Sequence, residues 1–423
     1  MRFEKPLVRP ARVTVAIALL AIALAIAFGA RRGGGSGKSA SAPRVPSDDR
    51  EVLERVPALG AAGVTAPGVA PADPRARALE VLRRRLDADP QNLAVAVELA
   101  QLDIEESRAR ADPRYLGRAE AALAPWWSEG DAPPKVLLLR ATIRQSLHDF
   151  EGALIDLDRL VALEPDDAQA WLTRAVVLTV RGRYTDARAS CAPLARLAGP
   201  LVTTACLAPI DSLTGHAKDA YLRLHDAYTK AAPTIGTDGE RAWVLSILGE
   251  IASRAGDDTA AVRDFETALA ASSDDAYTKA ALADLLLDLG RAADVGRMLE
   301  GKTEDDNLLL RLVIAEGALG KPSFAEHESL LASRYVASEE RGDVVHRREQ
   351  ARFALTVKHD TKKALALARA NWDVQKEPAD ARVFLDAAIA AGDPAVARPV
   401  AEFLAANGAE EPRLVALAAA VRK

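Results

Sequence analysis

The chain has 423 residues, a formal net charge of −5 and a sequence pI near 5.8. Hydrophobic residues make up 49% of it, charged residues 27% and aromatic residues only 4%. No basic stripe with interleaved aromatic residues appears, which disfavours a nucleic-acid-binding protein. Abundant alanine with few aromatics suits thin layers of helix on helix. No long stretch alternates with the period of two that indicates a sheet, so an all-α fold is expected.

An uncharged apolar run covers residues 13–30, after a short basic N-terminus of residues 1–12 that is expected to be cytoplasmic. As a helix the run would span roughly 27 Å, close to the thickness of a bilayer core. We therefore expect a transmembrane signal anchor. One alternative is a cleaved signal peptide, because Ala25 and Ala27 supply the small residues that precede a cleavage site. Another is a reversed anchor, because basic residues also follow the run.

Residues 31–73 are rich in Gly, Ser, Pro and Ala and predict a flexible tether. Within them, residues 33–39 read GGGSGKS and resemble a phosphate-binding loop, but Arg32 stands where that motif needs its first glycine. Such a loop also needs a strand before it and a helix after it, whereas an apolar run precedes this one and a proline-bearing segment follows. Nucleotide binding is not expected, and neither is any other cofactor.

An interval of about 34 residues recurs through the middle of the chain and is typical of helix–turn–helix arrays. Small residues mark the crossing of two helices, and glycine supplies the turn between them. The register is regular over residues 135–290 and drifts outside them, so residues 74–423 are expected to form one α-solenoid with a capping helix over residues 411–422. The interval relates Ala141 to Ala175, Ala153 to Ala187, His148 to Gly182, and Phe150 to Tyr184.

Residues 168–201 show the pattern position by position. Trp171 is fourth, Ala175 eighth, Gly182 fifteenth, Tyr184 seventeenth and Ala187 twentieth. This segment resembles the tetratricopeptide repeat, which sets a Trp and a small residue on its first helix and Ala on its second. The resemblance implies an all-α superhelix whose concave groove holds a peptide or a partner helix. An alanine-rich helical bundle without repeats is the alternative.

The resemblance also implies where a partner would bind, because the family lines its groove from fixed positions of each first helix. Members that clamp a C-terminal carboxylate need Lys and Asn in the groove, but Leu138, Leu172 and Ser246 occupy the lysine position here. An acidic C-terminus is therefore not an expected ligand. Trp243 and Tyr277 could serve as aromatic anchors, and packing between repeats is the alternative for Trp243. The implied groove residues are Lys135, Gln169, Trp243 and Tyr277 at position 2, and Glu250 and Asp284 at position 9.

The two cysteines, Cys191 and Cys206, lie at matched distances from a turn near Ala198 and Gly199. Neighbouring antiparallel helices place such residues side by side, so an intramolecular disulfide is expected. It would form in an oxidising compartment. The alternative is a pair of buried, unbonded thiols, because free cysteine often packs in a core.

No pattern indicates catalysis. Six histidines are scattered, and none pairs with a cysteine at zinc-ligand spacing, so no metal site is predicted. The run His346-Arg347-Arg348-Glu349 is interpreted as a solvated helix face. Three acidic pairs fall at predicted helix starts, where carboxylates cap free N–H groups: Asp257-Asp258, Asp274-Asp275 and Asp305-Asp306.

These features predict a membrane-tethered tetratricopeptide scaffold that binds another protein, possesses no small-molecule substrate and is not an enzyme. Residues 346–388 also resemble a bacterial group of repeat proteins, which favours the inner membrane of a bacterial envelope with the repeats facing the periplasm. Secretion to the periplasm is the alternative location. Two other functions stay open: an assembly chaperone or accessory factor for an envelope transporter or secretion system, and a helical-solenoid hydrolase with titratable residues clustered in one cleft.

Overall fold

The computed structural model describes residues 74–110 and 112–422, and every regular element within these ranges is helical. The expectation of an all-α fold is confirmed for this part of the chain. The predicted anchor, residues 13–30, and the predicted tether, residues 31–73, lie outside the described residues. None of the described helices is long and apolar enough to cross a bilayer.

The described helices fall into three regions along the chain. The N-terminal region comprises α1 (Pro74–Ala88), α2 (Leu93–Arg110), α3 (Arg114–Ala122) and α4 (Ala124–Trp127). The central region comprises α5 (Pro134–Ser146), α6 (Phe150–Leu163), α7 (Ala168–Val180), α8 (Tyr184–Cys191), α9 (Leu194–Leu197), α10 (Gly199–Ser212), α11 (Ala217–Ala231), α12 (Asp238–Arg254), α13 (Asp258–Ala271), α14 (Ala276–Asp288) and α15 (Ala292–Met298). The C-terminal region comprises α16 (Asp306–Leu319), α17 (Phe324–Glu340), α18 (Arg347–Thr356), α19 (Thr361–Trp372), α20 (Pro378–Ala390), α21 (Arg398–Ala406) and α22 (Pro412–Arg422). Two short 3-10 helices, Ala232–Thr234 and Pro394–Ala397, lie between α11 and α12 and before α21.

Consecutive helices of the central region pack in pairs: α5 with α6, α7 with α8, α10 with α11, α12 with α13, and α14 with α15. Each first helix carries a small buried residue near its contact with the second. At Gly249 the reason is visible, because a Cβ atom there would lie 2.7 Å from the Phe265 ring. Larger side chains would push the two helices apart, so the predicted pattern of small residues has a packing cause. The equivalent residues are Ala141, Ala175, Ala208, Gly249 and Ala283.

The turns inside these pairs share one backbone conformation. Gly182, Gly215, Gly256 and Gly290 all have positive φ, between 72° and 82°. His148 stands at the equivalent place and adopts the same left-handed region with φ of 61°. Its ring stacks on Phe150 with 5.3 Å between centroids, and burial lowers the pKa of His148 to about 3. The His148 imidazole is therefore neutral, and it fills a position that glycine takes in the other pairs.

The predicted acidic caps are present, one from each pair of acids. The side chain of Asp257 accepts a hydrogen bond from the Ala260 N–H (2.9 Å), and Asp305 accepts one from the Leu308 N–H (3.0 Å). Asp275 caps α14 in the same manner. These carboxylates satisfy N–H groups that have no partner within the first helical turn. Their role in the described structure is therefore local to the helix starts.

The C-terminal region folds back onto the central region, at the row of left-handed turns. The N–H of Lys376 donates to the Val180 carbonyl oxygen at 2.8 Å. The Phe403 ring lies against Gly182, where an added Cβ would be 2.8 Å away. Further along the row, the side chain of Glu410 accepts a hydrogen bond from the Ala217 N–H (2.8 Å). The array therefore closes on itself at these turns through contacts between distant helices, in addition to the contacts between consecutive helices that the repeat pattern predicts.

Candidate functional site

The residues predicted at position 2 of the groove differ in exposure. Lys135 on α5 is exposed, whereas Gln169 on α7 is half-buried and its side-chain amide approaches the Thr173 hydroxyl at 3.2 Å. Trp243 on α12 is only 6% exposed. Tyr277 on α14 is half-buried, and its hydroxyl donates to the Glu250 carboxylate. Equal register has therefore placed these four side chains in different environments.

Trp243 is a packing residue in this structure. Its side chain lies among Leu172 and Val176 of α7 and Cys206 and Pro209 of α10. Its indole N–H is buried and has no acceptor among the described residues. An anchor for a partner must be accessible, so the interpretation of Trp243 as an aromatic anchor is corrected here in favour of the packing alternative.

Tyr277 and Glu250 are joined by a hydrogen bond from the phenol to the carboxylate. Arg254, one turn further along α12, also donates to Glu250, at 2.6 Å, and reaches the Ser212 hydroxyl of α10 at 3.0 Å. Burial, followed by the neighbouring charge of Glu250, raises the pKa of Tyr277 well above its ordinary value. The phenol is therefore a fixed hydrogen-bond donor, and its hydroxyl is already used inside the protein.

Asp284 lies at the centre of a second charged contact. Arg311 of α16 binds it with two hydrogen bonds of 3.0 and 2.7 Å, and Arg352 of α18 binds it from the other side. Burial alone would raise the pKa of Asp284, but the two guanidinium groups outweigh it and hold the pKa well below its usual range. A carboxylate predicted to face a partner thus connects two helices of the chain itself.

Glu250 and Asp284 do lie on the wall of one cavity. Its volume is about 360 Å³, and it is bounded by the central helices α12 and α14 and by α16, α18 and α20 of the C-terminal region. Apolar side chains, among them Leu285, Ile314, Leu355 and Val383, form much of the wall. Cavities of this size with a mostly apolar wall and a few placed polar groups are typical of ligand-binding sites.

The charged groups of this cavity number six carboxylates and five arginines. Every one of these arginines has a carboxylate partner inside the protein. The pairs are Arg254 with Glu250 (2.6 Å), Arg311 with Asp284 (2.7 Å), Arg352 with Asp284, Arg348 with Glu349 (2.9 Å), and Arg382 with Asp288 (2.5 Å).

Two of these carboxylates have fewer hydrogen-bonding and ionic partners than the other four. Within the described residues, no hydrogen bond or ion pair reaches the side chain of Glu411, which precedes α22. Asp386 on α20 has one ion pair, a long contact of 3.7 Å with Arg382. Burial raises the pKa of both carboxyl groups. Asp386 and Glu411 are therefore the lining carboxylates with the fewest close partners inside the protein.

The arginines and Glu411 were not found by sequence reasoning. The expectation that residues 346–349 form a solvated helix face is wrong: His346 is 5% exposed, and Arg348 and Glu349 line the cavity. No local signal could have shown this, since Arg352 lies 68 residues from Asp284, and Arg382 lies 94 residues from Asp288. Charged runs on helices have the same local pattern whether a distant helix covers them or not.

Cys191 of α8 and Cys206 of α10 are bonded to each other, with 5.7 Å between their Cα atoms. Both are buried in the core of the central region. The bond joins the second helix of one pair to the first helix of the next. It therefore supports the stacking of two neighbouring repeats next to Trp243.

The hydrolase alternative required histidine, aspartate and glutamate converging in one cleft. No histidine lines the cavity among the residues that the structure describes. In the same part of the chain, no group of three or more His, Cys, Asp or Glu side chains is placed to hold a metal ion. His327 is paired with Glu316, at 2.9 Å between Nδ1 and the carboxylate, outside the cavity. The convergence of histidine with aspartate and glutamate that the hydrolase alternative requires is therefore not found at this cavity.

No family model matches the sequence, and no curated protein matches it. Among solved structures, it is similar to a tetratricopeptide repeat protein from Parabacteroides merdae, with 15% identity, a TM-score of 0.41, and coverage of 61% of this chain and 92% of that one. It is also similar to the Cut9–Hcn1 hetero-tetramer of the APC/C (13% identity, TM-score 0.42, 82% and 73% coverage) and to yeast Tom70 (11%, 0.34, 82% and 92%). At TM-scores below 0.5, these likenesses decide nothing for this chain. Its repeat architecture rests on its own helix pairs.

Proposed function

We propose that the chain is a non-catalytic helical-repeat scaffold that binds a protein partner at the cavity between its central and C-terminal regions. One observation carries the proposal: Glu250 and Asp284, which the tetratricopeptide resemblance assigns to the groove, lie on the wall of a cavity of about 360 Å³. Stacked helix pairs hold such a surface in a fixed shape, which lowers the entropy lost when a partner docks. The paired charges and apolar wall are suited to recognition of a side chain.

We further propose that the scaffold is a single-pass protein of a bacterial inner membrane with its repeats in the periplasm. Support comes from the sequence of residues 13–30 and from the disulfide, which an oxidising compartment would maintain. An alkaline carbonate wash of membranes should leave the full-length chain in the pellet. Release of the chain, or a mature N-terminus that follows Ala27, would replace the anchor with secretion to the periplasm.

Partner binding is tested by chemical crosslinking in native membranes, followed by pull-down and mass spectrometry. A small set of proteins should be enriched over membranes that carry an unrelated protein on the same anchor segment. Added untagged chain should compete for the same partners, because a specific interface saturates. If no protein is enriched and competed in this way, the chain is not a protein-binding scaffold under the conditions of its own membrane.

A further inference from the structure

Among the described residues that line the cavity, the charged groups with the fewest close partners are two carboxylates, Asp386 and Glu411. An anion would have to displace a carboxylate from Arg254, Arg311 or Arg382, each of which is held at 2.5 to 2.7 Å. Separating such a pair leaves a charge without its partner, which is unfavourable in a partly buried site. A cation would meet Glu411, which no hydrogen bond or ion pair reaches among the described residues, and Asp386, whose one ion pair, with Arg382, is 3.7 Å long. Charge complementarity therefore favours a positively charged ligand.

The cations nearest to these two carboxylates are already committed elsewhere. Arg413 binds Asp258 at 3.0 Å, and Asp288 binds both Arg413 (3.5 Å) and Arg382 (2.5 Å), which leaves Arg382 only the 3.7 Å contact with Asp386. These contacts hold α20 and α22 against the central region. Arg382 and Arg413 could therefore turn towards Asp386 or Glu411 only by breaking the ion pairs that connect α20 and α22 to the central region.

The apolar part of the cavity wall indicates which kind of cation would bind. Leu285, Ile314, Leu355 and Val383 present aliphatic surface next to the charged end. Long cationic side chains match this arrangement, because their methylene stems bury apolar surface while the charged head binds carboxylates. A guanidinium group can also bind two carboxylates through its planar fork, whereas a small hydrated cation would gain nothing from the apolar wall.

We infer that the cavity receives an arginine side chain presented by the protein partner, with Asp386 and Glu411 binding its guanidinium group. The inference rests on the proposed function, because the partner supplies the arginine. It also names the surface that determines specificity: α20 supplies Asp386, the residue before α22 supplies Glu411, and helices α14, α16, α18 and α20 supply the apolar wall.

The test uses the full chain in a mild detergent and two peptides, N-acetyl-leucyl-arginyl-leucinamide and the same peptide with neutral citrulline in place of arginine. Isothermal titration calorimetry should show the arginine peptide binding at least about tenfold more tightly. The double variant Asp386→Asn, Glu411→Gln should lose this preference. Its fold is expected to survive, because burial disfavours the charged form of each carboxyl and the amides keep the size of the side chains.

The matched control is Asp393→Asn, Glu402→Gln, which makes the same chemical changes at two exposed residues near the cavity helices. It should keep the preference for arginine. Equal affinity for the two peptides, absence of saturable binding by both, or tighter binding of a glutamate-containing peptide would each overturn the inference. Unchanged preference in the double variant would also overturn it.

Pull-down with the double variant separates this inference from the proposed function. If wild type and double variant capture the same partners equally and the peptides fail, the chain is a scaffold whose cavity is not the arginine site. If the arginine peptide binds but wild type captures no partner, the cavity chemistry stands and the proposed scaffold function fails.

Discussion

The central and C-terminal regions are stabilised by contacts of different range. Central helices pack mainly on their neighbours in sequence, through small residues such as Gly249 that allow close approach. The C-terminal helices add contacts that cross most of the array, such as Arg413 with Asp258 and Lys376 with the Val180 carbonyl. Solenoids are usually stabilised by nearest-neighbour terms alone. Here a second, long-range set of contacts closes the array and creates the cavity.

The largest effect expected in the central region follows from Trp243→Ala. This side chain of α12 is buried against α7 and α10, so its removal leaves a cavity that the surrounding helices cannot fill completely. The free energy of unfolding should fall by about 3–5 kcal/mol. Urea unfolding followed by circular dichroism measures the loss, and partner capture should fall only to the extent that the protein unfolds.

Trp243→Phe is the control for this prediction. It keeps an aromatic ring in the same space and removes an indole N–H that finds no acceptor among the described residues. The cost should therefore be below about 1.5 kcal/mol. Wild-type stability of Trp243→Ala together with lost capture would reverse the assignment and restore Trp243 as a binding anchor.

The disulfide provides the next effect, also confined to the central region. Cys191 and Cys206 close a loop with a sequence separation of 15. For such a loop the chain-entropy model gives a stabilisation of about 3 kcal/mol, less any strain. A reductant should lower the melting temperature of the wild type and leave that of the Cys191→Ala, Cys206→Ala variant unchanged. Two free thiols by alkylation of the denatured, unreduced protein would refute the bond.

The helix pairs could be predicted from sequence because their causes are local. A small residue at the crossing and a left-handed residue at the turn recur at a fixed interval, and even His148 was found at its turn by register alone. Glu250 and Asp284 were placed in the groove by the same register. The same register predicts a groove position for Trp243, but this side chain is buried, because the exposure of a groove position depends on which helices pack over it.

The closure and the cavity could not be predicted from sequence. Arg348, Arg382 and Glu411 carry no local mark that distinguishes them from surface charges. Arg348 and Arg382 bind carboxylates on other helices, Asp380 and Asp288. Burial of a charge is decided by the curvature of the whole superhelix, which is the sum of small rotations at every repeat. A small difference in these rotations moves a distant helix onto or off a given side chain, so local sequence does not predict whether that side chain is buried.

Substitution of two equivalent glycines tests how much the contact with the C-terminal region contributes to stability. Gly182 and Gly290 have the same φ of 72°, but an added Cβ would lie 2.8 Å from Phe403 at Gly182 and would contact nothing within 4 Å at Gly290. Gly290→Ala should cost about 1 kcal/mol, from the left-handed backbone alone. Gly182→Ala should cost about 2–3 kcal/mol, because it also displaces the C-terminal region.

Hydrogen exchange locates the difference between these two variants. Exchange in α21 should become faster in Gly182→Ala and stay as in the wild type in Gly290→Ala, because only Gly182 contacts that helix. Equal exchange in the two variants would mean that the C-terminal region does not depend on this contact for its position.

The smallest expected effect is a change in pH dependence at the start of the C-terminal region. Burial raises the pKa of Asp305 to about 6, against the opposing hydrogen bond from the Leu308 N–H and the charge of Arg311. The folded state therefore binds a proton more tightly than the unfolded chain, whose aspartate has its ordinary pKa near 3.8. This contribution to stability is complete below pH 4 and is lost as the pH rises through 6.

Asp305→Asn tests this contribution, because an asparagine oxygen can still accept the Leu308 N–H without carrying a charge. Between pH 4 and 6 the variant should lose less stability with rising pH than the wild type, by at most about 1.4 kcal/mol per pH unit. Urea unfolding across this range measures the slope, with Asp257→Asn, at an exposed cap of the central region, as the comparison. A steeper loss in Asp305→Asn, or parallel curves for it and the wild type, would show that Asp305 is ionised throughout, and that the Leu308 N–H and Arg311 outweigh its burial.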